Sequence, residues 1–139
     1  MKILFFGDIM GKIGRKGLAA VLPALTEEHI PDLIIANVEN LAHGKGVTEK
    51  TLNEMMAAGI QVFTSGNHIT KKGEYAKILS DEKYPIVRPA NYPPVVPGRE
   101  YLKISLCERS PEGRKIKNKN IYVMNFLGRV FFPESPDCP

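Results

Sequence analysis

The chain has 139 residues, with 19 Lys and Arg against 15 Asp and Glu, a formal net charge of +4. With 43% apolar and 24% charged residues it has a globular composition, which excludes a disordered polyelectrolyte. No apolar run approaches the ~20 residues that a bilayer span needs, and the small positive excess suits anionic substrates while falling far short of a nucleic-acid-binding extreme.

Strand and helix signals alternate over the first 70 residues. Residues 2–6 (KILFF) form a short apolar run closed by Gly7, the pattern of a buried strand. Leu18, Val21, Leu22 and Leu25 then repeat at helical spacing, with Pro23 inside the pattern, so a kink or a late helix start is expected. Residues 33–37 (LIIAN) read as a second buried strand. Gly44 and Gly46 mark a loop, Thr48 is an N-cap candidate with Glu49 in the first turn, and Leu52, Met55 and Met56 make a core-facing stripe. Gly59 supplies the stop, and residues 60–64 (IQVFT) form the third strand. This β-α-β-α-β order implies a parallel sheet. A short helix is expected over 74–79. Five prolines between 85 and 98 predict an irregular loop. Residues 101–106 and 120–126 predict a long antiparallel hairpin, with the basic stretch 109–119 as its solvated tip. Residues 131–139 carry two phenylalanines and three prolines and read as a lead into further structure. Cys107 and Cys138 lack metal-type spacing, which suits a reducing, cytoplasmic setting.

Ligands of open α/β sheets bind at the carboxyl ends of the strands. Asp8 follows the first strand, Glu39 and Asn40 the second, and Gly66-Asn67-His68 the third. Singly, each has a plain structural reading: Asp8 as a helix cap, Glu39 as a loop carboxylate, His68 as a hydrogen-bonded histidine. Jointly, three strand ends deliver oxygen and imidazole donors to one rim, a set that suits Mn, Fe or Zn. Gly11 and Gly14 read as a tight turn rather than a nucleotide loop, since no Walker lysine follows, and Arg15 is placed to attract phosphate.

Gly7-Asp8, Asn37-Val38-Glu39-Asn40, Ala42-His43-Gly44-Lys45-Gly46 with Thr48-Glu49-Lys50, Gly66-Asn67-His68, Arg88-Pro89-Ala90-Asn91 and Leu127-Gly128-Arg129 occur in that order. The ordered set resembles the YmdB-type bacterial metallophosphoesterases of the calcineurin-like phosphoesterase superfamily. The resemblance implies an α/β/β/α sandwich with a binuclear site at the strand ends, holding two divalent ions, Fe or Mn. It implies that Asp8 binds one metal, Glu39 bridges both, Asn67 binds the second, His68 is catalytic beside the leaving group, and Asn40 belongs to the active-site shell. The implied activity is hydrolysis of phosphodiesters such as 2′,3′-cyclic nucleotides. The expected partner is a small phosphodiester or cyclic nucleotide, with no membrane and no nucleic acid, and self-association is left open.

The chain also departs from the pattern. Met10 stands where the wider superfamily has the histidine of Asp-x-His, and Ile69-Thr70-Lys71 replaces a Thr-Trp-Asp run in a chain without tryptophan. The family continues for roughly as many residues again, with further metal-binding histidines. Here the histidines are His29, His43 and His68. His29 is expected on the surface of the first helix, and His43 reads equally as a loop-bonding or a functional residue. Residues 1–139 are therefore expected to form one partial domain with an incomplete metal set and apolar surface near Phe131-Phe132. The alternative to an active phosphodiesterase is an impaired fragment, at most a phosphate- or metal-binding module.

Overall fold

Strands and helices alternate from the N-terminus: β1 (Ile3–Asp8), α1 (Gly11–His29), β2 (Leu33–Asn37), α2 (Glu49–Ala58), β3 (Val62–Thr64), a 3-10 turn (Ile69–Lys71), α3 (Tyr75–Ser80) and β4 (Ile86–Val87). Two longer strands follow, β5 (Tyr101–Arg109) and β6 (Lys115–Met124). The computed structural model describes residues 1–109 and 115–130, so Cys138 and Phe131-Phe132 lie outside the described residues. β1 to β4 pair in parallel in that order, and β5 and β6 pair antiparallel.

Local chemistry accounts for the best-defined helix. Thr48 caps α2: its hydroxyl accepts from the Thr51 N–H at 3.3 Å, and the Thr51 hydroxyl accepts in turn from the Thr48 N–H at 3.0 Å. At the other end Gly59 takes a left-handed φ of 112° that a side chain would resist. α1 differs from expectation. It begins at Gly11, so the two glycines form its first turn, and it runs unbroken through Pro23. Pro23 lies on the exposed side, where the carbonyl that loses its N–H partner can meet water.

Two-residue alternation in the strands separates two cores. Ile34, Ala36 and Phe63 point toward the helices and pack with Leu18, Leu22, Leu52 and Met55. Leu33, Ile35 and Val62 point the other way and pack with Val123, Leu102, Ile104 and Ile121 of the hairpin. The layers run helices, parallel sheet, hairpin. This is an α/β sandwich in which the hairpin forms the start of a second sheet.

Four expectations change. β1 is not a buried strand: it lies at the sheet edge, and Ile3 and Phe5 on its hairpin-side face remain 41% and 58% exposed. The third strand is shorter, starting at Val62. The proline-rich segment contains β4, which pairs with β3 through Ile86 and Val87. The strands of the hairpin take in Arg109 and Lys115–Lys119, leaving only residues 110–114 of the basic tip outside the described residues.

The β1–β2 ladder has an irregularity at Gly7. Phe6 pairs with Ala36, yet Asp8 pairs with Asn37, so one residue of β1 has no counterpart.

Candidate active site

Asn40 is at the centre of the rim formed by the strand ends. Its Nδ2 donates to both carboxylate oxygens of Asp8, at 2.9 and 2.8 Å. Its Oδ1 lies 2.5 Å from Nδ1 of His68. A carboxylate only accepts, so the amide must turn its NH₂ toward Asp8 and its carbonyl toward His68. That carbonyl also only accepts, so His68 Nδ1 carries hydrogen in this bond, and Nε2 is the ring nitrogen that Asn40 does not engage. Asn40 is buried, Asp8 is exposed and His68 is half-buried, so the relay runs from a shielded amide to two groups at the surface.

Glu39 sits beside them. Its Oε2 accepts from the His68 backbone N–H at 3.0 Å. Its carboxylate also lies directly on Gly66, where an added Cβ would overlap it. Gly66 is therefore required for space, not for backbone freedom. The Glu39 backbone is pinned on both sides, its N–H by Asn37 Oδ1 at 3.2 Å and its carbonyl by the Gly46 N–H at 2.5 Å. Asn67 is half-buried on the same loop, and among the described residues no hydrogen bond ties its carboxamide to the others.

Asp8 does not cap α1, whose N-cap is Met10. His29 ends α1 at the pole opposite the rim and approaches Glu28 at 3.8 Å. His43 is exposed in the loop after Glu39, with a left-handed φ of 58°. The Arg15 Nε meets Glu54 at 2.7 Å, and its Nη1 donates to the Leu41 carbonyl. The arginine thus braces α1 against both α2 and the loop.

A supporting layer had no sequence signal. The Asn37 and Asn125 amides both donate to the Ser65 carbonyl, at 3.2 and 2.9 Å, and the Ser65 hydroxyl donates to the Val87 carbonyl at 2.6 Å. Asn125 lies 60 residues from Ser65, and nothing in the local pattern joins them. Arg88 shapes its own loop: Nη1 donates to the Pro89 and Tyr92 carbonyls and Nη2 to Glu100 at 2.7 Å.

Asp8, Glu39 and Asn67 are oxygen donors of the kind Mn or Fe accept. They are too few to enclose two ions, and among the described residues no group of three or more His, Cys, Asp and Glu side chains could hold one. These residues do not by themselves fit a binuclear centre. What they can do unaided is orient a histidine, present Nε2 to a leaving oxygen and place two carboxylates beside it.

Residues 4–139 match the YmdB-like protein family. The chain is 36% identical over 137 residues to the 2′,3′-cyclic-nucleotide 2′-phosphodiesterase of Bacillus subtilis, covering 99% of this chain and 48% of that protein. It is 35% identical over 91 residues to a putative phosphatase/phosphodiesterase of Mycoplasma genitalium, covering 66% of this chain and 32% of that one. Among solved structures it superposes on a protein of Thermus thermophilus with a TM-score of 0.81 at 30% identity, covering 99% of this chain and 49% of that one. On a phosphatase of Mycoplasma pneumoniae the TM-score is 0.83 at 28% identity, covering 100% and 47%. The chain thus spans about half, or less, of the length of these relatives. The rim, the sheet order and these matches agree: the chain belongs to the YmdB-like family of calcineurin-type metallophosphoesterases.

Proposed function

We propose that residues 1–139 form the phosphate- and metal-binding rim of a phosphodiesterase acting on 2′,3′-cyclic nucleotides, and that a chain of this length turns over slowly at most. The observation that supports this is the Asp8–Asn40–His68 relay with Glu39 hydrogen-bonded beside it. It joins the ends of three strands that are far apart in sequence. In this reading Asp8, Glu39 and Asn67 hold a single divalent ion weakly. A second ion, with the charge neutralisation and activated water that a metal pair supplies when bound, requires ligands beyond these.

The geometry supports a role for each of the chain's own residues. Asn40 holds the imidazole by Nδ1 and leaves Nε2 for the leaving group. A protonated His68 donates to the departing 2′-oxygen of the cyclic ester and is left neutral, and solvent returns the proton. Glu39, fixed on Gly66, keeps its position while substrate enters.

The test uses the purified chain with Mn²⁺ or Fe²⁺ and 2′,3′-cyclic AMP, beside the Bacillus relative. Expected are Mn²⁺ binding by calorimetry with a Kd on the order of 10⁻⁴–10⁻³ M, the range of cation sites with few charged ligands, and loss of that binding in Asp8→Asn. Turnover should lie at least about 100-fold below the relative, since losing even one transition-state donor costs about that much. Turnover equal to the relative's, or Mn²⁺ binding indifferent to Asp8→Asn, would overturn the reading.

A further inference from the structure

A second feature lies on the far side of the loop that carries Asn40. The first turns of α1 and α2 and the loop residue His43 enclose a cavity of about 320 Å³. Lys12, Arg15, His43, Thr48, Lys50 and Thr51 line it, and no carboxylate does. Lys12 and Lys50 have no ion-pair partner among the described residues. Glu54 stands outside the lining and is taken by Arg15 Nε. The Arg15 Nη1 is spent on the Leu41 carbonyl, which leaves Nη2 uncommitted. His43 is held at the mouth in a left-handed conformation that costs a non-glycine residue on the order of 1 kcal/mol.

Cations gathered around one concave place with no carboxylate in its lining attract an anion. Attraction scales with ligand charge, so a phosphate dianion gains about twice what a singly charged diester gains at the same distance. The cavity is at the lower limit of small-ligand sites, large enough for a phosphoryl group with a modest organic part.

We propose that the cavity between the α1 and α2 N-termini, lined by Lys12, Arg15, His43 and Lys50, is a binding site for a phosphate dianion, either inorganic phosphate or the head of a phosphomonoester. The site is coupled to the rim through its loop, because the Asn40 carbonyl accepts the Gly11 N–H at 2.9 Å and the Gly44 N–H at 3.2 Å. A dianion between Lys12 and Lys50 draws the first turns of α1 and α2 together beside the loop whose Asn40 orients His68. This assignment does not rest on the proposed phosphodiesterase role.

The probes are inorganic phosphate, AMP and dimethyl phosphate, titrated into the chain by calorimetry and followed by amide shifts. Phosphate and AMP are expected to compete, to shift the amides of His43 and Thr48, and to bind at least about 10-fold more tightly than dimethyl phosphate. The double variant Lys12→Ala/Lys50→Ala should weaken phosphate at least about 10-fold, equivalent to about 1.4 kcal/mol. Lys45→Ala, on the same loop but not lining the cavity, and Asp8→Asn on the rim should leave it unchanged. Tighter binding of AMP than of phosphate assigns the monoester source, and equal or weaker binding the free anion. Phosphate binding that survives Lys12→Ala/Lys50→Ala, or that is lost in Asp8→Asn, overturns the proposal by placing the anion on the rim. Because Lys12 and Lys50 are exposed, the double variant should keep the wild-type circular dichroism, and Lys50→Glu gives an independent reversal of charge.

Discussion

Asn40 determines the chemistry of two neighbours by having one donor side and one acceptor side. Truncating it should free both. Asn40→Ala is expected to cost about 1–3 kcal/mol, the range for leaving buried hydrogen-bonding groups without partners. It should also convert His68 from a single Nδ1–H tautomer to a mixture, read from the ring ¹⁵N shifts. An unchanged tautomer would show that Asn40 does not orient the ring. Gly66→Ala tests the neighbouring contact. The new methyl would fall inside Glu39, so the carboxylate must move. The expected outcome is a loss of Mn²⁺ binding in a folded protein destabilised by about 1–3 kcal/mol, as overpacking usually costs. Retained metal affinity would mean Glu39 is not a ligand. At this scale the sequence showed residue types but not partnerships. Asp8, Glu39, Asn67 and His68 were legible because each follows a strand. The Asn40–Asp8 bond was not, since the two are 32 residues apart and either could have bonded locally. The space-filling role of Gly66 was hidden for the same reason: a glycine's missing side chain has meaning only once its neighbour is known.

Among the elements, α2 was the most legible and β4 the least. Thr48 and Gly59 carry their own conformational instructions, and the structure uses both. β4 is two residues long, too short to show any periodicity, and it owes its existence to β3. The start of α1 was obscured because two glycines in one turn argue against helix, while the backbone bond from Gly11 to the Asn40 carbonyl holds that turn in place. α2 and α3 are joined at the surface. Glu74 Oε2 accepts from the Glu49 N–H at 3.0 Å, and Lys77 Nζ reaches Glu49 Oε1 at 2.6 Å. The bond to Glu49 raises the Lys77 ammonium above its ordinary range, with the Glu49 charge acting in the same direction. Because the folded value lies above the unfolded one, this contribution is complete below about pH 10.4. It fades as pH rises through the higher folded value. The Tm difference between wild type and Lys77→Met should therefore shrink at strongly alkaline pH, and also in high salt because the lysine is exposed. A difference that grows with alkalinity would contradict the pairing.

At the level of the whole molecule, the parallel sheet followed from the β-α-β-α-β rhythm, and the layered sandwich from the family resemblance. The covering of each face did not. An apolar run says that a strand prefers burial, not which neighbour provides it, and among the described residues β1 has a neighbour on only one edge and one face. Phe5 is 58% exposed and Ile3 41%, while the exposed Tyr101 and Tyr122 lie on the opposite face of the hairpin from Leu102 and Ile121. Exposed apolar side chains such as Ile3 and Phe5 attract other chains. Phe5→Ser should reduce dye binding and self-association while changing stability by no more than about 0.5 kcal/mol. A loss of several kcal/mol would show the ring to be covered.

The unmatched residue in β1 links these scales. Side chains along a strand alternate between faces, so shifting by one position reverses all of them. Removing Gly7 would leave the strand a choice of two alignments. If Leu4 and Phe6 kept their seats under the helices, Asp8 would retreat by one step of about 3.3 Å and lose its grip on Asn40. If Asp8 held its post, the preceding aromatics would swap sides and their seats in the interior would empty. The extra residue works like a slipped gear tooth, letting the greasy half of the strand and its charged tip each answer to a different neighbour.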